Sequence, residues 1–334
     1  GAMAGRPKAT RSFRAKHSAL YASERDCARY DALCSRQDHA GNTLAELKSL
    51  IDGNRLASLH VVDIGTGTGK LARLLAPHVQ SVSAFDRSDD MITAARAATS
   101  ARNVSFAVAD VRSVPLPDGC AGLVVAGWAI SYLKAEHEVW HRDGSSSGPW
   151  REEVDAALAE MERLLAPGGT ALILETHGTA CEAPQRSGSW LYAHFRSRGF
   201  SEKLVRTDYR FASRAEALDT LLFFFGKGVA ARATALLHDA PPDAPCLVPE
   251  CTLFCWRHKP LEAPPAAAAS PAQGGGGHVP CQSVARVGDQ MRCAVARRLR
   301  AWLRGRRAHL WLCAYVAVGT LAASVLVGMG RRRR

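Results

Sequence analysis

From residue 21 to about residue 259, short apolar runs alternate with stretches in which apolar residues recur every three or four positions. Strands buried on both faces of a parallel sheet read as continuous apolar runs, and the helices that cross between them carry the longer period. The runs predict seven strands, over residues 60–64, 81–86, 104–109, 122–127, 170–175, 203–211 and 250–256. The clearest helix is predicted over 150–165, where Val154, Ala157, Leu158, Met161, Leu164 and Leu165 share a face before Pro167, Gly168 and Gly169 end it. Residues 141–149 (HRDGSSSGP), between the fourth strand and this helix, have no apolar period and predict a mobile loop. The expected class is α/β, a doubly wound, mostly parallel seven-stranded sheet.

The alternation stops at residue 260. Residues 260–280, rich in Pro, Ala and Gly, cannot bury enough apolar surface to offset their ordering entropy and predict a linker. Residues 281–307 place Val284, Val287, Met291, Val295, Leu299 and Trp302 at helical intervals among eight arginines, the pattern of a basic amphipathic helix. Residues 308–330 predict a single transmembrane helix. Leu310 through Met329 is 20 residues without a formal charge, and at about 1.5 Å per residue it matches a hydrocarbon core of roughly 30 Å. Trp311 and Tyr315 stand near one boundary, and a basic tail, 331–334, follows the other. This arrangement resembles a tail anchor, with the domain at 21–259 expected in the cytosol. Arginine on both flanks resembles anchors of the mitochondrial or plastid outer membrane more than those of the endoplasmic reticulum. Residues 1–20 form a basic leader without an acid, a composition shared by transit peptides and disordered leaders.

A net charge of +12 raises nucleic-acid binding, but the charge sits at the ends. Residues 281–334 carry 12 arginines against one acid, Asp289, whereas residues 21–280 hold 26 basic and 30 acidic residues. A mildly acidic globule tracks a phosphate backbone poorly, so no nucleic-acid partner is expected. The ten cysteines form no CxxC, which suits a reducing compartment. Cys246, Cys251, Cys255 and His258 come nearest to a metal set. The text ECTLFCWR alternates like a strand, however, which makes Cys251 and Cys255 small core residues on one face, and no metal is expected.

Chemistry concentrates in HVVDIGTGTGK, residues 60–70: an apolar strand, Asp63, then Gly65, Thr66, Gly67 and Gly69 opening a helix. Glycines let the backbone turn sharply and approach a ligand with no Cβ in the way. Dinucleotide-binding folds use GxGxxG at the same place. Here the third glycine follows the second by two residues and an Asp stands two residues before the first, giving DxGxGxG. That form resembles motif I of the class I S-adenosylmethionine-dependent methyltransferases. The PLPDGCAGLVVAGW and LLAPGGTALILE segments resemble the same family's fourth strand and the turn before its fifth, and together the likeness covers about residues 25–180.

The resemblance implies S-adenosylmethionine as cofactor. It implies Asp86, with Arg87 beside it, on the ribose hydroxyls, Asp110 on the adenine amino group with Val111 by the ring, and Met91 flanking the adenine. Tyr30, in ARYD, resembles an N-terminal segment that lines the cofactor site in many members. The reaction needs little from side chains, because the methyl group is already activated on a sulfonium. Candidates for a general base are His177 in LETHG and Tyr209 in TDYRF, with His137 and His141 weaker. Trp128 is the candidate for the acceptor side, and Phe223, Phe224 and Phe225 are either an apolar wall or core.

Gly127 and Trp128 stand where methyltransferases of amide or nucleobase nitrogens carry Asn/Asp-Pro-Pro-Tyr/Phe, so that acceptor class is not expected. A small or lipid-soluble acceptor at a membrane surface is expected instead, with a general pattern resembling quinone-biosynthesis C-methyltransferases. Two other readings stay open: a membrane-tethered, non-catalytic S-adenosylmethionine-binding or assembly module, and an NAD-dependent oxidoreductase.

Overall fold

A computed structural model describes residues 23–141, 146–185 and 189–261. The expected leader, nearly all of the expected linker, and the expected amphipathic helix, membrane span and basic tail lie outside the described residues. Among the described residues no helix is long and apolar enough to cross a membrane.

Seven strands form one sheet: β1 (His60–Ile64), β2 (Ser81–Asp86), β3 (Val104–Val108), β4 (Ala121–Gly127), β7 (Leu165–Thr179), β8 (Ser201–Arg206) and β11 (Glu250–His258). Their order is β3-β2-β1-β4-β7-β11-β8. The first five run parallel, while β11 enters between β7 and β8 antiparallel to both. Strand order thus reverses between β1 and β4, and the crevice at such a switch point is where ligands bind in open α/β sheets.

Side chains of each central strand alternate between two cores. Val62 and Ile64 of β1, with Val124 and Ala126 of β4, face a core closed by α6 (Ile130–His137), α7 (Trp150–Leu164) and α8 (Trp190–Ser197). Val61, Leu123 and Val125 face the other, closed by α2 (Asn42–Leu50), the short α3 (Gly53–Leu56) and α4 (Lys70–Leu75). The helix predicted over 150–165 is α7, and its Trp150, Val154, Ala157 and Met161 are completely buried. Val154 and Met161 each contribute about 1.5–3 kcal/mol by leaving water. Two more helices edge the sheet, α1 (Glu24–Arg36), capped by Ser23, and α5 (Asp89–Ala97), capped by Ser88.

The structure corrects three expectations. The predicted strand 203–211 is two strands. After β8 the chain bends at Thr207 and Asp208, and β9 (Tyr209–Phe211) leaves the sheet to pair antiparallel with β10 (Cys246–Val248). The Asp208 carboxylate fixes the bend by accepting from Arg206 Nε at 2.8 Å and from the Glu250 amide at 3.0 Å. Between β9 and β10 stands a helical hairpin, α9 (Arg214–Phe225) and α10 (Lys227–Leu236), with its own apolar cluster. The strand predicted over 170–175 runs instead from Leu165 to Thr179, because β11 pairs along most of it. In the expected loop 141–149, Ser146–Ser147 (β6) pairs with Val139–Trp140 (β5), while 142–145 lie outside the described residues.

Candidate active site

At the end of β1 the chain makes its turn on glycines with left-handed backbone: φ is +70° at Gly65, +55° at Gly67 and +84° at Gly69. L-residues rarely adopt that region. A Cβ on Gly65 would also stand 2.5 Å from Ala129 Cβ. The turn is held from below and beside. Asp63, buried, accepts from Thr66 Oγ1 at 2.6 Å, and burial pushes its pKa up to about 7. Asp86, ending β2, accepts from the amides of Gly67 and Ser88, each at 2.9 Å. Its pKa lies above the ordinary value because desolvation outweighs those two bonds. Each carboxylate oxygen keeps a further lone pair for a ligand hydroxyl.

Asp110 follows β3 and is clasped by Arg112, whose Nε and second guanidinium nitrogen donate at 2.7 and 2.6 Å. That pairing holds its pKa below the usual value, so it stays an acceptor at neutral pH. After β4, Trp128 has φ +52°, an unusual conformation for a bulky residue. Its amide donates to Leu174 O at 2.6 Å, and its indole faces the Lys70 ammonium 4.4 Å from the ring centre.

These pieces enclose a cavity of about 610 Å³, large enough for a nucleoside-sized ligand and a small partner. Tyr30, Gly65, Gly67, Asp86, Arg87, Met91, Asp110, Val111 and Trp128 all line it. Asp63 and Thr66 line a smaller chamber beneath the turn instead. Gly69 lines neither; a Cβ there would meet the ring of Phe106 at 3.1 Å.

His177 and Tyr209, the two candidate bases, are not among the lining residues. His177 lies buried on β7, edge to face with Tyr192 at 4.9 Å between ring centres. Tyr209 went with β9 when the strand split, and it packs in the third cluster, stacked on Phe211 at 5.8 Å. Both were expected to face the acceptor; the structure places them away from the lining of this cavity. His137 lies 3.9 Å from Glu153, and His141 bonds Ser147 Oγ at 2.7 Å. Phe224 meets Tyr30 at 6.2 Å and Phe223 carries the Arg29 guanidinium at 3.6 Å, so this pair packs on α1, while Phe225 meets Tyr209.

Sequence reading missed the α6 side of the cavity: Ala129, Tyr132, Leu133 and Glu136. Their spacing of three and four is that of one helix face, a signal present in AGWAISYLKAEH. Glu136 accepts from both terminal nitrogens of Arg87, tying α6 to the end of β2. Ser88 and Asp90, after β2, also line the cavity and were not singled out. Among the described residues no three His, Cys, Asp or Glu side chains gather as a metal site.

Residues 62–173 match a family model described as a methyltransferase domain. S-adenosylmethionine fits the cavity as its cofactor: bare glycine backbone for close approach, two ionisable acceptors for hydroxyl and amino groups, and apolar Met91 and Val111 for a base. Among curated relatives, the malonyl-[acyl-carrier protein] O-methyltransferase of Serratia marcescens is 27% identical over 157 residues, 47% of this chain and 52% of that protein. The ubiquinone/menaquinone biosynthesis C-methyltransferase of Pseudomonas putida is 34% identical over 138 residues, 39% of this chain and 44% of that protein. The chain thus spans about half the length of the curated relatives it matches. A solved structure of Haemonchus contortus phosphoethanolamine N-methyltransferase 2 with S-adenosyl-L-methionine aligns with a TM-score of 0.44 at 18% identity, covering 76% of this chain and 61% of that one.

Proposed function

We propose that the protein is an S-adenosylmethionine-dependent methyltransferase acting on a small or lipid-soluble acceptor. The observation that carries this reading is the convergence of Gly65, Gly67, Asp86, Asp110 and Trp128, from four different strand ends, on one cavity. Bound there, the cofactor supplies a methyl group already activated for transfer. Asp86 holds the ribose and Asp110 the adenine amino group, with Met91 and Val111 against the ring. Gly65 and Gly67 let the backbone pass close to the methionine end. Trp128 and Tyr132 bound the remaining volume, where the acceptor would be oriented and water excluded.

The quinone and acyl-carrier substrates in the relatives' names support a small acceptor, and the apolar segment 308–330 supports one at a membrane surface. We take that segment as the tether, with the domain on the cytosolic side. A fusion of residues 281–334 to a fluorescent protein tests the tether, and a diffuse signal would reject it. Incubating the purified protein with methyl-labelled cofactor and a membrane extract tests the activity. Label in a lipid or small-molecule fraction is expected. Binding of S-adenosylhomocysteine without any transfer would favour the non-catalytic module, and binding of NADH in its place would favour the oxidoreductase.

A further inference from the structure

Lys70 is the first residue of α4, directly after the last glycine of the turn. Its side chain runs back to the end of α1, where Nζ donates to Gln37 Oε1 at 2.6 Å, and it passes over the Trp128 indole. An ammonium withdrawn from water is ordinarily matched by a carboxylate. Lys70 makes no ion pair among the described residues; its contacts are an amide oxygen and an aromatic face. Burial pulls its pKa down, and the charges of Cys34, Asp38 and Glu250 oppose this.

Lys70 lines the chamber beneath the glycine turn with Cys34, Asp63, Thr66 and Thr68. Its volume of about 10 Å³ admits one water-sized group. Thr68 Oγ1 and Asp63 Oδ1 are buried there with no hydrogen-bond partner among the described residues. The chamber shares Tyr30, Gly65, Gly127 and Trp128 with the large cavity, so its polar lining adjoins a ligand seated there.

We propose that Lys70 recognises the carboxylate at the amino-acid end of the cofactor, with the Thr68 hydroxyl as a second donor. This rests on the methyltransferase reading above and assigns a residue that motif I leaves open. The site then has two separable halves: Asp86 and Asp110 read the nucleoside, and Lys70 reads the amino acid. A half-buried cation answered by an amide oxygen and a π face is completed by an anion, and the adjoining cavity is where a zwitterionic tail would bring one.

Titration calorimetry on wild type and Lys70→Met, with S-adenosylhomocysteine and with 5′-methylthioadenosine, which lacks the amino-acid end, separates the two halves. Lys70→Met should weaken S-adenosylhomocysteine by about tenfold or more, the scale of one hydrogen bond to a charged group, and leave 5′-methylthioadenosine unchanged. Equal effects on both ligands, or none on either, would overturn the assignment. Retained binding of 5′-methylthioadenosine also shows that the variant is folded. A test needing no variant uses decarboxylated S-adenosylhomocysteine on the wild-type protein, where a similar loss is expected and undiminished affinity overturns the proposal. Wild-type protein that binds neither nucleoside would instead remove the cofactor reading itself.

Discussion

The crevice at the carboxyl ends of β1 to β4 and the cluster around β9 and β10 are both rich in aromatic and polar residues, yet they are built in opposite ways. In the crevice, Gly65, Gly67 and Trp128 hold left-handed backbone, and Asp63 Oδ1 and Thr68 Oγ1 are buried without a hydrogen-bond partner among the described residues. Around β9 and β10, Phe211, Ala217, Leu221 and Val248 are fully buried together. Some polar groups beside them pair directly: Thr207 and Thr252 bond each other at 2.6 Å, and Arg36 holds Glu216 at 2.7 Å. Left-handed backbone is not confined to the crevice, since Asp38 (φ +62°) and Ala180 (φ +54°), the latter inside the packed cluster, share it; what sets the crevice apart is that its turn is made on glycines and opens on a cavity. Residue type does not mark it, since a tyrosine or histidine serves either region.

The contrast can be broken hardest at Gly65. Gly65→Ala combines left-handed strain with the 2.5 Å approach to Ala129 Cβ, and should cost roughly 2–5 kcal/mol of stability together with measurable S-adenosylhomocysteine binding. Thermal melts and calorimetry read both, and a neutral substitution would mean that the turn is not rigid. Next is Asp63, whose folded pKa of about 7 exceeds its unfolded value. Its protonated form is the one that folding favours, so stability is fullest below about pH 4 and falls as pH rises toward 7, by roughly 4 kcal/mol at most. Asp63→Asn should flatten that slope in denaturant titrations across the window, and an unchanged slope would place the cause elsewhere.

Asp86→Ala should weaken S-adenosylhomocysteine by about 1.5–3 kcal/mol, read by calorimetry; unaltered affinity would take Asp86 out of the site. The smallest effects belong to the packed side. Tyr209→Phe and His177→Gln should each change kcat/KM by less than about 1 kcal/mol in equivalent barrier. A drop of a hundredfold in either would return that residue to the chemistry.

The alternation of apolar runs placed the sheet well, and β1 and β2 have the very bounds that the pattern predicts. It failed where tertiary pairing overrides local pattern. Nothing within 203–211 announces that Asp208 will be captured by Arg206 and by the amide of Glu250, a residue far away in sequence. That single bend carried Tyr209 out of the expected site. The DxGxGxG text and the two downstream carboxylates located the crevice because backbone turn, strand end and acceptor are fixed by local spacing. The α6 wall was missed because Tyr132 and Glu136 reveal themselves only once the direction of their helix is known. Lys70 looked like an ordinary helix start, and only its approach to Gln37 and Trp128 distinguishes it.

The antiparallel insertion of β11 has a consequence for how the molecule is made. Among the described residues β8 pairs in the main sheet with β11 alone, although β8 ends at residue 206 and β11 starts at residue 250. During synthesis the edge of the sheet therefore waits, with β7 and β8 open, until more than forty further residues have left the ribosome. Translation that stalls in the α9–α10 hairpin should release a polypeptide whose nucleotide crevice is fully encoded but whose exposed β7 flank invites aggregation.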